Sequence, residues 1–200
     1  MTSLFKLHNP LINIILKESP DNLKKGVEMV SLSIRRPWKF VGVQIKEYKS
    51  QGFKAKCIKG PKEKTMNYLS INKHSLYREA MNSLKYTGRR RKVEMMLAFL
   101  DVPGIGLVKA GFCCQLFDGV VGCIDSHNVK MYNVSPNLLS YDKDASLATR
   151  IKKINIYLDL CQSKRSDRLW NKWCRNLAKQ DKRFKDAEEV SELHFRYLLI

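Results

Sequence analysis

An all-α fold is what this sequence predicts, on two observations. Apolar residues recur at spacings of three and four along most of the chain, as the inner face of a helix requires. Prolines and glycines fall between those stretches, where helices begin and end. The 200 residues, 44 % of them apolar, suffice for a hydrophobic core without staples. The expectation is one compact α-helical domain over residues 1–200, with about eight to ten helices.

The elements follow in order. Pro10 and Pro20 each start a helix, with Ser19 as the N-cap of the second. "WKFVGVQIKEY", from Trp38, places Val41, Ile45 and Tyr48 on one helix face. "QGFKAKCIKGPKEKT" (Gln51 to Thr65) lacks that period and reads as a loop or short hairpin. Helical pattern resumes near Asn72 and runs toward Tyr86. After Gly88 comes "RRRK", Arg89 to Lys92, and then Val93, Met96, Leu97 and Leu100 at i, i+3, i+4 and i+7. Pro103, Gly104 and Gly106 end that helix. The next is apolar on nearly all sides and therefore buried. Asp125 stands at the start of another. Ile151, Ile154 and Leu158 form a later stripe, Leu169, Trp173 and Leu177 a further one. A last helix starts near Asp186 and presents Val190, Leu193 and Tyr197.

Charge narrows the partners. Thirty-seven Lys and Arg against nineteen Asp and Glu leave a net +18, which draws polyanions, nucleic acid first among them. The alternative is that the charge only maintains solubility. An anionic membrane surface would call for a basic amphipathic helix with aromatic anchors, whereas these basic residues are spread along the chain. No stretch approaches the ~20 apolar residues of a membrane span. "PLINIIL" (Pro10 to Leu16) is too short for a span or a secretory signal. The six cysteines form no Cys-x-x-Cys pair and have no histidines at zinc spacing. No metal and no cofactor is expected, and free thiols fit a reducing, intracellular compartment.

The chemistry concentrates in "FLDVPGIGLVKAGFCCQLFDGVVGCIDSHNVKMY", Phe99 to Tyr132. Gly104 and Gly106 flank Ile105 in a turn tight enough to leave backbone N–H groups exposed at the start of the following helix. Those donors and the helix's positive end suit a phosphate. An ordinary glycine-containing connection would look the same. From Gly104 to Phe117 the only strongly polar side chains are Lys109 and Gln115. A lysine desolvated there is a candidate nucleophile. Its other fate is to reach along its stem to phosphate or solvent. Asp125 is a candidate catalytic carboxylate or a plain N-cap.

"VPGIG" at 102–106 followed by "CIDSH" at 123–127 resembles the signature of the helix-hairpin-helix DNA glycosylase superfamily, the group that contains endonuclease III. The likeness covers about thirty residues of the chain. It implies a helix-hairpin-helix and catalytic-aspartate segment at 93–132, followed by basic C-terminal helices at 144–200. It implies a protein that binds double-stranded DNA as a monomer and cleaves the N-glycosidic bond of a flipped damaged or modified base. Gly104, Ile105 and Gly106 would hold a phosphate, and Asp125 would stabilise the oxocarbenium-like sugar. In members that also cut the strand, a lysine attacks the sugar. Here Val108 holds that position and Lys109 falls one residue late, a turn of roughly 100° on a helix. A monofunctional enzyme using water is the alternative to a lyase. The four clustered cysteines of an iron–sulfur cluster are absent, since only Cys161 and Cys174 lie in the last third.

Arg89, Arg90, Arg91 and Lys92 are candidate phosphate contacts, or else a solvated helix start or a nuclear address. "SKRSDRLWNKWCRNLAKQDKRFK" (Ser163 to Lys185) puts Lys172, Arg175 and Lys179 on one basic face. "GCIDSHNVKMYNV" and this tail are also similar to small bacteriophage proteins, which would place the chain in a bacterial host's cytoplasm. The rivals to a base-excising enzyme are a non-catalytic helix-hairpin-helix DNA-binding protein and a phage DNA-packaging or structural component. An enzyme needs Asp125 on a pocket wall. A binding module leaves Asp125 as a cap on the backbone N–H groups of 126–129. A packaging component needs a broad apolar surface patch.

Overall fold

The computed structural model describes residues 10–33, 40–163 and, beyond these, 174, 175, 178, 179, 182, 184–186 and 189. The fold is all-α, and among the described residues there are eight α-helices and no strand. They are α1 (Pro10–Glu18), α2 (Pro20–Leu32), α3 (Val41–Gln51), α4 (Pro61–Ser83), α5 (Gly88–Leu100), α6 (Leu107–Asp118), α7 (Ser126–Met131) and α8 (Leu147–Ser163). Short 3-10 turns occupy Gly52–Lys54 and Pro136–Leu139.

Most starts and stops follow the sequence signals. Ser19 is extended and its hydroxyl accepts the Asn22 N–H at 3.2 Å, with Pro20 in the first turn. Gly119 closes α6 in the left-handed conformation, its N–H on the Cys114 and Gln115 carbonyls. At Asp186, where a last helix is expected, the carboxylate accepts the Glu189 N–H at 2.9 Å. The stripe of Leu169, Trp173 and Leu177 and the face of Val190, Leu193 and Tyr197 lie outside the described residues.

One element is corrected. Residues 51–65 form no hairpin, and α4 begins at Pro61, well before Asn72. Pro61 takes the first turn, where its missing N–H costs nothing. Met66, Leu69, Leu76 and Ala80 then line its buried face. Lys62 and Thr65 share that face, and two polar residues pointing inward hide the apolar period. Lys62 is buried because its ammonium has partners: it donates to Leu32 O at 3.0 Å and Gln44 Oε1 at 3.2 Å. Leu32 ends α2, and a cation is favoured at that negative helix end.

The core centres on α6, which packs against α1, α2 and α5, with Leu107 and every residue from Ala110 to Phe117 buried. A helix apolar all round needs such a surround. At its far end Asp118, 4 % exposed, takes both Lys17 at 2.7 Å and Arg91 at 2.6 Å, which joins α1, α5 and α6. α8 runs antiparallel to α5. Arg89, at the start of α5, bonds Asp159 at 2.8 Å and Asn155 at 2.6 Å, while Arg150 near the start of α8 pairs with Asp101, just past the end of α5. The N-termini of α6 and α8 therefore emerge at the same end of α5. Among the described residues, no helix is long and apolar enough to cross a membrane.

Candidate functional site

α5 and α6 are joined by a tight hairpin, residues 101–106, closed by the Ile105 N–H on Val102 O at 3.1 Å. Val102 and Ile105 are buried, so the turn is anchored by side chains and presents backbone. Its two glycines do different work. Gly104 has φ +84°, and a Cβ there would sit 2.4 Å from Pro61 O and 2.8 Å from Thr65 Oγ1. It lets the hairpin lie against the first turn of α4. Thr65 Oγ1 fixes that contact, 2.7 Å from Pro103 O and 2.9 Å from Pro61 O.

Gly106 faces the other way. It is exposed and extended, with nothing within 4 Å of where a Cβ would stand. It heads α6 with no side-chain cap, and the first-turn N–H groups of Leu107, Val108 and Lys109 meet no acceptor among the described residues. Open donors at the positive end of a twelve-residue helix are an electrostatic match for an anion.

Asp125 is partly exposed at the head of α7. Its Oδ1 accepts the Asn128 N–H at 3.0 Å, so it does cap the helix. Asn128 Nδ2 returns to Cys123 O at 2.9 Å, closing residues 123–128 on themselves. The preceding stretch is pinned by Tyr157 of α8. This fully buried phenol donates to Gly122 O at 2.8 Å and accepts the Ile124 N–H at 3.1 Å. Gly111 of α6 makes room for it, since a Cβ there would lie 2.3 Å from the Tyr157 oxygen. Cys123 Sγ donates to Val108 O at 3.6 Å. The segment leading to Asp125 thus touches the first turn of α6, two residues after Gly106.

Lys109 leaves the apolar helix sideways. Its Nζ lies 2.9 Å from Ser33 Oγ, at the C-cap of α2, and 5.6 Å from the Phe112 ring centre. Lys62 and Lys109 therefore both meet the end of α2. Lys109 and Asp125 are close enough to Cys123 to bias its thiol in opposite senses. Burial dominates and pushes it up to about 12. All six cysteines are free, and burial also raises Cys113, Cys114 and Cys174.

The "RRRK" run splits around α5. Arg89 turns to α8 and Arg91 to Asp118, as described, while Arg90 lies 4.0 Å over the Tyr86 ring and 3.9 Å from Glu94. Lys92 is half-exposed. Successive helical residues diverge by roughly 100°, so four adjacent cations do not form one face. The side chain of His127 lies outside the described residues, among which no three metal-ligating side chains cluster.

Sequence reasoning missed Tyr157, Asn128, Gly111, Thr65 and Ser33. Tyr157 was within reach, standing three residues after Ile154 in the stripe of α8; its second role, on the backbone at 122–124, leaves no local trace. Compared with known protein families, curated proteins and solved structures, the chain matches none.

Proposed function

We propose that this chain binds duplex DNA through the N-terminus of α6 and uses Asp125 to cleave the N-glycosidic bond of a flipped base. The observation that carries this reading is the contact of Cys123 Sγ with Val108 O. It joins the two halves of the signature, the phosphate-suited hairpin and the aspartate, although eighteen residues separate Gly106 from Asp125. The net charge of +18 supplies the long-range attraction. With one carboxylate oxygen on the Asn128 N–H and the preceding backbone fixed by Tyr157, Asp125 is preorganised to stabilise positive charge growing on the sugar, which costs little reorganisation as the bond breaks. The ammonium of Lys109 is engaged by Ser33, which favours water over lysine as the nucleophile. On this reading the product is an abasic site.

The capping bond from the Asn128 N–H favours a second reading, a DNA-binding module in which Asp125 only starts α7. One assay separates the two. Duplexes carrying a panel of damaged and modified bases are incubated with wild type, Asp125→Asn and Lys109→Ala, then treated with hot alkali. Asparagine is as good an N-cap as aspartate, so Asp125→Asn keeps the fold and removes only the charge. Alkali-revealed cutting by wild type and Lys109→Ala, lost in Asp125→Asn, is the expected result. Binding without cutting across the panel would leave the module.

A further inference from the structure

Beside the hairpin, a cleft of about 210 Å³ opens between the loop at 140–145 and the first turns of α8, lined by Ser140, Tyr141, Asp142, Thr149, Arg150 and Lys153. We propose that this cleft is a second contact for the nucleic-acid backbone, taking one phosphodiester group while the hairpin holds another. The proposal rests on the reading that the chain binds duplex DNA.

Three observations lead there. The first is the chemistry of the lining: three hydroxyls, an ammonium and a guanidinium stand against the single carboxylate of Asp142. That carboxylate already accepts the Asp144 N–H at 2.9 Å. Ser140 Oγ donates to Asn137 O at 2.8 Å and Thr149 Oγ1 lies 2.9 Å from Ser146 Oγ, so Lys153 and the Tyr141 hydroxyl are the donors best placed for a ligand. An acceptor-only group such as a phosphate diester fits that set. At about 210 Å³ the space is smaller than the ~300–1,000 Å³ of a pocket for a drug-sized molecule, and it is open to solvent. It suits one group on a chain passing by.

The second is preorganisation. Arg150 is locked by the Asp101 carboxylate and by Tyr141 Oη at 2.6 Å, and its side chain is 16 % exposed. Asp101 offsets the charge of Arg150, so Lys153 carries the net attraction. Its Nζ rests on Asn137 O at 3.2 Å and Ser140 Oγ at 3.4 Å, both neutral, and no carboxylate forms an ion pair with it among the described residues.

The third is position. Asp101 is the residue that ends α5 and opens the hairpin, so the Arg150–Asp101 pair ties the cleft to the hairpin. Phosphate contacts fix a protein's register on a duplex, and two anchored to one frame do so better than one.

Duplex affinity is measured against salt concentration for wild type, Lys153→Gln, Lys153→Arg and Gly106→Asp, with thermal unfolding as a check on the fold. Lys153→Gln should weaken binding several-fold, alike on unrelated sequences, and reduce the slope of log K against log salt by about one. Lys153→Arg should restore both. An unchanged affinity and slope in Lys153→Gln, with binding lost in Gly106→Asp, would overturn the cleft and leave the hairpin reading intact. Binding that survives Gly106→Asp but falls in Lys153→Gln would keep the cleft and overturn the hairpin. Absence of duplex binding by wild type would overturn both.

Discussion

The Nζ of Lys109 lies 2.9 Å from the Oγ of Ser33, so the one charged side chain between Gly104 and Phe117 is held by the end of α2, the negative end of that helix. This accounts for a lysine in an otherwise apolar helix without requiring it to react.

If that contact matters to the fold, the two residues must be coupled. Lys109→Met should lower unfolding free energy in urea, and Ser33→Ala should lower it separately. The double variant should lose less than the sum, with a coupling of about 1 kcal/mol. Strict additivity would mean the pair contributes nothing.

The hairpin glycines should respond to different degrees. Gly104→Ala must place a Cβ in a left-handed residue and 2.4 Å from Pro61 O, and should cost at least about 2 kcal/mol. Gly106→Ala meets open space in extended backbone and loses only the N-cap preference for glycine over alanine, so it should cost no more than about 1 kcal/mol. Equal effects at the two positions would contradict the assignment of Gly104 to packing and Gly106 to the open helix end.

Tyr157→Phe keeps the ring and removes the hydroxyl. The Ile124 N–H would be left buried without its partner, and Gly122 O would keep only the weak Cys161 thiol donor at 3.5 Å, at a cost of about 1–3 kcal/mol. The Ile124 amide should also lose hydrogen-exchange protection. Full protection in the variant would show that Tyr157 does not hold the segment before Asp125.

The cysteines predict an alkaline limit. Burial raises the folded-state Cys123 and Cys174 thiols from 9 to about 12, while the unfolded chain keeps ordinary thiols. Between these values the folded protein binds more protons than the unfolded one, so stability falls as pH rises from about 9 to about 12. Urea midpoints across that range should decline, and Cys123→Ser with Cys174→Ser should flatten the decline. For the same reason native-state alkylation at pH 8 should be slow.

How much of this was legible depends on what each residue touches. The all-α fold, the Ser19 cap, the buried α6 and the start of a helix after Asp125 follow from local periodicity and caps, and the structure bears them out. α4 was misplaced because Lys62 and Thr65 occupy its inner face, each satisfied by residues distant in sequence. The frame around Asp125 was invisible for a related reason. Tyr157, Gly111 and Val108 meet it only after α6 and α8 have packed. The "RRRK" run reads as phosphate contacts, a solvated helix start or a nuclear address, and nothing local in it shows that the helix sends Arg89 and Arg91 to different protein neighbours.

The central claim is that the open N-terminus of α6 binds DNA phosphate, and Gly106→Asp tests it most directly. The new carboxylate should cap α6, as aspartate does at N-caps, holding the melting temperature level or raising it slightly. It should also occupy the first-turn N–H groups and repel phosphate. Fluorescence anisotropy with a labelled duplex should therefore show affinity falling at least tenfold in a protein as stable as wild type. Duplex binding unchanged in Gly106→Asp, with the fold intact, would contradict the account.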